Sequence, residues 1–165
     1  MTRDPLNIFA ADSVEAQRKP RIALMGEFSA GKSTLLNMLL TGNPLPVRVT
    51  ATNVPPVWIS QGPEAAMRVR ADGTEEAIAL GDLEHIGLED TKFVRLSMRA
   101  DALEVCDLID MPGISDPNMS SEVWKQVFDE VDCVIWCTHA TQAWRQSEAA
   151  TWAEIAENTN GNNIL

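Results

Sequence analysis

The chain has 165 residues, 45% of them hydrophobic, and a formal net charge of −11 at pH 7. This length and hydrophobic content suit a single globular domain with one buried core. The acidic balance argues against a broad binding surface for nucleic acid or anionic lipid, because both are polyanions, so any anionic ligand must be bound by a local site.

The chain begins with a polar segment that we separate from the main domain. Residues 1–19 predict a short helix over 7–18, which Lys19-Pro20 ends before the domain of 20–165 begins. The segment has no apolar signal-peptide core, and the chain lacks the run of ~18 apolar residues that a membrane span requires. We therefore expect a cytoplasmic protein with no nucleic-acid partner, which would meet a membrane only through regions outside this chain.

A strand, a glycine-rich turn and a helix follow. Residues 21–25 are an apolar run typical of a buried strand, and the glycine-rich stretch comes directly after it. The helix predicted next ends near Gly42 and carries a broad apolar face. That face comprises Leu35, Leu36, Met38, Leu39 and Leu40.

The middle of the chain predicts a long loop and then several short strands. Residues 43–56 are rich in proline, and a loop of this length in a compact domain is more often functional than idle, so it is a candidate switch. "VWIS", "AAMRVRADG" and "EEAIAL" predict strands, and "GDLEHIGLED" predicts a short helix. "KFVRLSMRA" and "LEVCDLIDM" predict a hairpin whose second, more apolar strand is central in the sheet.

The last third predicts a helix over "SSEVWKQVFDEVD", a buried strand over "CVIWCT" and a helix over residues 143–158. In that last helix, Trp144, Trp152 and Ile155 form a stripe that we expect to face the core. Cys133 and Cys137 lie about 13 Å apart along the strand, too far for a disulfide. They are therefore expected to be reduced thiols.

The order of these elements predicts the fold class. Alternating strands and helices with an antiparallel insertion indicate an α/β fold, in which an open, mostly parallel sheet is flanked by helices. The closing stretch "NGNNIL" predicts the opening of a further central strand. We therefore expect the C-terminal part of the 20–165 domain to be missing.

The stretch "GEFSAGKST" satisfies the pattern G-x-x-x-x-G-K-[ST] between a strand and a helix. Glycines at these positions let the backbone N–H groups surround a phosphate chain at the positive end of a helix. Lys32 would place its charge on the β- and γ-phosphates, and Ser33 would offer its hydroxyl to Mg²⁺. The predicted ligand is a nucleoside di- or triphosphate with Mg²⁺, contacted by Gly26, Glu27, Phe28, Ser29, Ala30, Gly31, Lys32, Ser33 and Thr34.

Two further elements fit the same ligand. Asp110 ends an apolar strand in the sequence "DMPG", where it can reach the Mg²⁺ shell while the Gly113 N–H faces a γ-phosphate. An aspartate that simply opens a Pro-Gly turn is the alternative. In the 43–56 loop, Thr50 and Thr52 both qualify to close over the metal through a hydroxyl, or they are only β-branched residues that lead into the next strand.

Three stretches together carry a family resemblance. "GEFSAGKSTLLNMLLTG", "TATNVPP" and "LIDMPGISD", in that order, resemble the dynamin-like GTPases, particularly their bacterial members, over about residues 20–150. The resemblance implies a domain that binds GTP and Mg²⁺, hydrolyses GTP to GDP and phosphate, and changes conformation as it does so. It also implies that the domain pairs with a second copy through the nucleotide face, as a homodimer.

The resemblance also implies roles for individual residues. The family's switch threonine precedes a proline by three positions, which selects Thr52 over Thr50. Ser33 and Thr52 would then be Mg²⁺ ligands, Asp110 would contact the same ion through water, and Gly113 would be the γ-phosphate sensor. Lys32, Thr52 and Ser29 would be the catalytic residues, and Ser29 matches a site that in some relatives positions a monovalent cation, K⁺ or Na⁺, and the attacking water.

The sequence departs from the family pattern at positions that bear on catalysis. Phe28 stands where eukaryotic dynamins carry glutamine, and Ile114 follows "DMPG" where Ras-like GTPases carry their water-orienting glutamine. Intrinsic hydrolysis should therefore be slow and depend on a dimer partner, a cation or backbone groups. The base-reading motif [NT]-K-x-D is absent from the sequence. Two alternatives remain: a nucleotide-binding switch or scaffold with negligible turnover, and an adenine-nucleotide ATPase or kinase.

Overall fold

The computed structural model describes residues 18–40, 55–114, 127–141, 144–158 and 163–164. The helices are α1 (Lys32–Leu39), α2 (Ala102–Val105) and α3 (Gln146–Asn158), with a 3-10 helix at Leu80–His85. The strands are β1 (Arg21–Gly26), β2 (Val57–Gln61), β3 (Ala65–Arg70), β4 (Glu75–Ile78), β5 (Thr91–Met98), β6 (Asp107–Asp110), β7 (Cys133–Cys137) and β8 (Asn163–Ile164).

In the described part of the chain, these strands form one sheet in the order β4-β3-β5-β2-β6-β1-β7-β8. The half that contains β6, β1, β7 and β8 is parallel. In the other half, β2 runs antiparallel to β6 and parallel to β5, and β3 is antiparallel to both of its neighbours. The predicted α/β sheet with an antiparallel insertion is confirmed.

The sheet is covered on both faces, because successive side chains of a strand point in opposite directions. In β6, Leu108 belongs to the core cluster on one face and Ile109 to the cluster on the other. Helix α1 covers the first face with Leu36, and α3 covers the second with Ile155. The central strands are therefore buried on both sides, which explains their nearly continuous apolar sequences.

The predicted hairpin between "KFVRLSMRA" and "LEVCDLIDM" is wrong. Strand β2 lies between β5 and β6 in the sheet, so these two strands do not pair. The residues that were expected to begin the second strand form the short helix α2, in which Leu103 is fully buried while Val105 is 70% exposed. The apolar run alone could not separate a strand from a helical turn, and the contacts of α2 with β2 and β6 decided the outcome.

Two residues that we assigned to apolar helix faces lie outside them. Met38 is 65% exposed, because its position on α1 lies opposite the stripe formed by Leu36 and Leu40. Trp144 is 45% exposed and precedes α3, with φ of 61°, so it cannot belong to the helix stripe. Trp152 does pack toward the core, edge-on to Trp136 at a centroid distance of 5.5 Å.

An ion pair fixes the start of the described domain at the amino edge of the sheet. Arg18 donates two hydrogen bonds to the Asp132 carboxylate, at 2.6 and 2.7 Å, and Asp132 also accepts the backbone N–H of Arg21. These donors hold the pKa of Asp132 below its usual value, with the Arg18 hydrogen bond as the largest cause. The segment before β1 is thereby tied to the turn that leads into β7.

Some predictions fall outside the described residues: all but the last residue of the helix over 7–18, most of the 43–56 loop, Gly42, and residues 120–126 of the helix predicted over 120–132. In the described end of that last helix, residues 127–128 are helical and a turn follows. Of the helices within the described ranges, none is long and apolar enough to cross a membrane. The free cysteines of the described chain include Cys133 and Cys137 at the two ends of β7.

Candidate functional site

The glycine-rich turn begins at the end of β1, where this strand pairs with β7. Gly26 is buried at the end of β1 and has φ of 138°. A Cβ atom placed there would lie 1.9 Å from the carbonyl oxygen of Cys137. Gly26 and Cys137 are also partners in the parallel register of the two strands. Only glycine fits this position, so backbone packing by itself fixes the first residue of the motif.

The loop itself is a tight turn that leads directly into α1. The Ala30 N–H bonds to the Glu27 carbonyl at 3.2 Å, and Ser29 takes a left-handed conformation with φ of 60°. Gly31 precedes the first helical residue, Lys32, and its carbonyl accepts the Leu35 N–H at 2.9 Å. The first N–H groups of a helix have no partner within the helix, so the start of α1 directly after the loop offers the kind of site that binds anions.

Lys32 is buried beneath the loop, with only 7% of its surface exposed. Its ammonium group donates to the Gly26 carbonyl at 3.0 Å and to the Glu27 carbonyl at 2.6 Å. Burial lowers the pKa of Lys32, while the nearby carboxylate of Asp110 acts in the opposite direction. An anionic ligand in the loop would favour the charged ammonium form.

Asp110 lies beside this lysine at the carboxyl edge of the sheet. It ends β6, is paired in register with Leu24 of β1, and is 7% exposed. Burial raises the pKa of Asp110 to about 7, and the Lys32 charge only partly offsets that effect. A carboxylate in such a place is stabilised by further positive charge, which a divalent cation would supply.

The "DMPG" stretch runs beside the end of β1 to the glycine-rich stretch of residues 26–34, which we call the phosphate loop. The Ile114 N–H bonds to the Gly26 carbonyl at 3.2 Å, the same oxygen that accepts from Lys32. A Cβ atom at Gly113 would lie 3.0 Å from both the Cα and the nitrogen of Phe28, so a side chain there would press on the loop. Gly113 thus brings the end of β6 into backbone contact with the predicted phosphate site.

The donor atoms that the described site offers to a metal are oxygens. Ser33 lies in the first turn of α1 and is partly buried, and Asp110 supplies a desolvated carboxylate. Hydroxyl and carboxylate oxygens suit Mg²⁺, which keeps several of its own water ligands. Within the described ranges, no group of three or more His, Cys, Asp or Glu side chains could hold a metal by itself. The residues present fit a Mg²⁺ ion shared with a phosphate ligand.

The structure brings together most of the predicted site residues. Gly26, Lys32, Asp110 and Gly113 converge at the carboxyl ends of β1 and β6, whereas Phe28 is 57% exposed at the outer side of the loop. Ser29 and Thr34 are exposed on the same loop and first helical turn. Thr50 and Thr52 lie outside the described residues, so their predicted roles stay predictions.

Sequence reasoning missed two residues at the start of α3. The Ser147 hydroxyl donates to the Glu27 carboxylate at 2.9 Å, across 120 positions of the chain. The neighbouring Glu148 is only 1% exposed, and its carboxylate accepts the Arg145 N–H at 3.0 Å. No capping-box pattern marks Glu148 in the sequence, because Arg145 rather than Ser or Thr stands three positions before it. Nothing in the sequence related Ser147 to the phosphate loop, because only the packing of α3 brings them together.

A family model described as the dynamin family matches residues 22–165. This match covers most of the chain, and it includes the loop, Asp110 and Gly113. The chain belongs to the dynamin family. The predicted resemblance is therefore confirmed.

The individual proteins that resemble this dynamin-family domain have low sequence identity to it. Dynamin-like protein 2 of Campylobacter jejuni is 26% identical over 133 residues, which are 77% of this chain and 22% of that protein. Two solved structures of an oligomerised bacterial dynamin pair, described as providing a mechanism for long-range sensing and tethering of membranes, have TM-scores of 0.49 and identities of 25% and 23%. Each match covers 72% of this chain and 20% of the matched chain.

Proposed function

We propose that this dynamin-family domain binds GTP with Mg²⁺ and hydrolyses it to GDP and phosphate. The observation that carries the proposal is the position of Lys32, which is buried at the start of α1 with its ammonium group under the loop backbone. The acidic chain needs such a local positive site to bind a polyphosphate. Family membership supports the choice of guanine nucleotide.

In this proposal, the residues of the site have different roles in phosphoryl transfer. The N–H groups of the loop and the Lys32 ammonium bind the phosphate oxygens and stabilise the charge that develops on them. Gly113 is in backbone contact with the loop and would offer its N–H to the terminal phosphate. Ser33 and Asp110 would hold Mg²⁺, with Thr52 as a third ligand. Bound Mg²⁺ supplies positive charge to the phosphate oxygens.

The attacking water needs an orienting group from elsewhere. Phe28 and Ile114, which stand at the two positions where related GTPases carry glutamine, have no polar side-chain atom. We propose that a second copy of the domain, or a K⁺ or Na⁺ ion near Ser29, completes the site. The same two apolar residues favour the alternative of a nucleotide switch with negligible turnover.

The test is calorimetric titration of GTP, GDP and ATP into the full chain with Mg²⁺, for the wild type and for Lys32→Ala. We expect guanine-selective binding, weakened by roughly 10²-fold in Lys32→Ala, because the variant loses a desolvated charge on the phosphates. Lys92→Ala, which removes a lysine from β5, is the matched control and should bind as the wild type does. Preference for ATP, or equal binding by Lys32→Ala, would contradict the proposal.

Turnover is measured separately, as phosphate release with K⁺ or Na⁺ at several protein concentrations. Hydrolysis that rises with protein concentration supports activation by a second copy, and sedimentation with a non-hydrolysable GTP analogue should then show a dimer. Nucleotide binding without phosphate release under all of these conditions would instead establish the switch with negligible turnover.

A further inference from the structure

Glu27 connects the phosphate loop to two other parts of the molecule. Its backbone carbonyl accepts hydrogen bonds from the Lys32 ammonium at 2.6 Å and from the Ala30 N–H at 3.2 Å. Its side-chain carboxylate accepts the Ser147 hydroxyl at 2.9 Å. A change in the position of Lys32 therefore acts on the same residue that contacts α3.

The start of α3 is a well-fixed point for this contact. The buried Glu148 carboxylate accepts the Arg145 N–H, and the Ala149 N–H bonds to the Arg145 carbonyl at 3.0 Å. Further along the helix, Ile155 is 1% exposed in the core and Trp152 packs on Trp136 of β7. Ser147 is consequently held by the helix while its hydroxyl reaches outward to the loop.

The segment just before α3 is conformationally constrained and exposed. Trp144 has φ of 61°, a left-handed conformation that is strained for a non-glycine residue and persists only when neighbouring contacts fix it. Its ring lies edge-on to that of Trp152 at 6.0 Å. Trp144 is three positions from Ser147, so a displacement of the first turn of α3 reaches this exposed indole directly.

We propose that the hydrogen bond between Ser147 and Glu27 is a positioning contact that holds the phosphate loop against α3 and couples nucleotide occupancy to the segment that carries Trp144. This inference rests on the proposed nucleotide binding and adds to it a partner for the loop. Glu27 and Ser147 act on the phosphates through the loop backbone, so they are positioning residues rather than catalytic ones.

A carboxylate near a polyphosphate has a second effect, which is repulsion. If repulsion were the only role of Glu27, removing its charge would tighten nucleotide binding whatever replaced it. A positioning role predicts the opposite for Glu27→Ala and little change for Glu27→Gln, since the amide oxygen of glutamine still accepts the Ser147 hydroxyl. The two substitutions therefore separate the two roles.

The experiment is a double-mutant cycle in the full chain with GDP and a non-hydrolysable GTP analogue, in the presence of Mg²⁺. Glu27→Ala and Ser147→Ala should each weaken binding by roughly 3- to 10-fold, the range of one hydrogen bond, and the double variant should be no weaker than either single one. Glu27→Gln should stay within twofold of the wild type. Glu157→Ala removes a matched, exposed carboxylate from α3 and should change nothing.

Trp144 fluorescence supplies a readout that a merely structural contact would not move. The nucleotide-induced signal assigned to Trp144, taken as the part lost in Trp144→Phe, should fall by at least half in Glu27→Ala and Ser147→Ala and persist in Glu27→Gln. Additive losses of affinity, tighter binding by both Glu27 variants, or an unchanged Trp144 signal would overturn the inference.

The failure of this inference and that of the proposed function are distinguishable. If the wild-type chain binds no nucleotide, both the proposed function and the positioning role are refuted. If Lys32→Ala weakens nucleotide binding but Ser147→Ala does not, only the positioning role is refuted and the proposed function is unaffected. Urea unfolding of each variant checks that its fold is retained, and we expect small shifts because Ser147 is exposed.

Discussion

At the scale of single residues, the candidate site gathers groups whose placement costs stability. Lys32 and Asp110 are both buried. Burial lowers the pKa of Lys32 and raises the pKa of Asp110, so it favours the neutral form of each side chain. Gly26 has a backbone conformation and a neighbour that exclude a side chain. Under the proposed function these features serve ligand binding rather than folding, so substitutions here should change stability and binding in opposite or unequal ways.

Asp110→Asn should stabilise the nucleotide-free, Mg²⁺-free chain at high pH. Because the folded-state pKa of Asp110 is raised to about 7, its contribution is fully favourable below the ordinary pKa near 4 and is lost as pH rises through 7. Asparagine carries no such titration. A rise in pKa from near 4 to about 7 corresponds to about 4 kcal/mol, so we expect the variant to gain up to about that much over the wild type at pH 8, and little at pH 4, in urea unfolding with a chelator present.

The same variant should lose Mg²⁺-dependent nucleotide affinity, which provides the control. A gain in stability that does not vary between pH 4 and pH 8 would show that the carboxylate is not the source of the effect. Stabilisation without any loss of Mg²⁺-dependent binding would remove Asp110 from the metal site.

Gly26→Ala should be strongly destabilising, by at least about 2 kcal/mol, because its Cβ would overlap the Cys137 carbonyl and the two strands would have to separate. Gly73→Ala is the matched control. Gly73 also has a positive φ, of 85°, but a Cβ there meets nothing within 4 Å. The midpoints of urea unfolding should differ between these two variants, and equal values would mean that strain alone decides the cost.

At the scale of elements, the start of α3 shows how a local signal and a tertiary contact combine. Glu148 accepts the N–H of Arg145, the arrangement that the third residue of a helix commonly makes with the residue before the helix. It is also 1% exposed, so the core around β7 closes over it. The helix start is therefore fixed both by its own sequence and by its packing.

Glu148→Ala should cost about 0.5–2 kcal/mol, because the part-buried Arg145 N–H at the helix start loses its acceptor. Glu148→Gln keeps an acceptor oxygen and should cost markedly less. Thermal and urea unfolding of both variants provide the comparison. If the two substitutions destabilise equally, the negative charge rather than the hydrogen bond is what the helix start requires.

At the scale of the whole molecule, the sheet separates two apolar layers that must unfold together if the described chain is one cooperative unit. Ile59 and Ile155 lie in different layers, at 0% and 1% exposure. Ile59→Val and Ile155→Val should each cost roughly 0.5–1.5 kcal/mol, and the double variant should be additive within about 0.5 kcal/mol. Val105→Ala, at an exposed site of α2, is the control and should have little effect.

A biphasic unfolding transition in either single variant would contradict this expectation. It would mean that the layers on the two faces of the sheet unfold separately, and the free energies of unfolding could then not be compared between variants.

The sequence by itself determined the elements whose signal is local. The glycine-rich turn between β1 and α1, the buried strands and the "DMPG" stretch all follow from residue types at fixed short spacings, and they sufficed to predict the fold class and the dynamin-like family. Lys32, Asp110 and Gly113 were predictable for the same reason. Each chemical role depends on a neighbour in sequence or on the shared carboxyl edge of a parallel sheet.

Only the tertiary structure decided the features that depend on contacts between residues far apart in the sequence. The position of β2 between β5 and β6, the burial of Lys32 and Asp110, and the contact of Ser147 with Glu27 join residues far apart in the chain. Strand order is chosen by the packing of whole layers, and a residue's burial depends on everything that covers it. The apolar residues around β5, α2 and β6 fit a hairpin as well as a crossover, and only the presence of β2 between the strands excluded the hairpin.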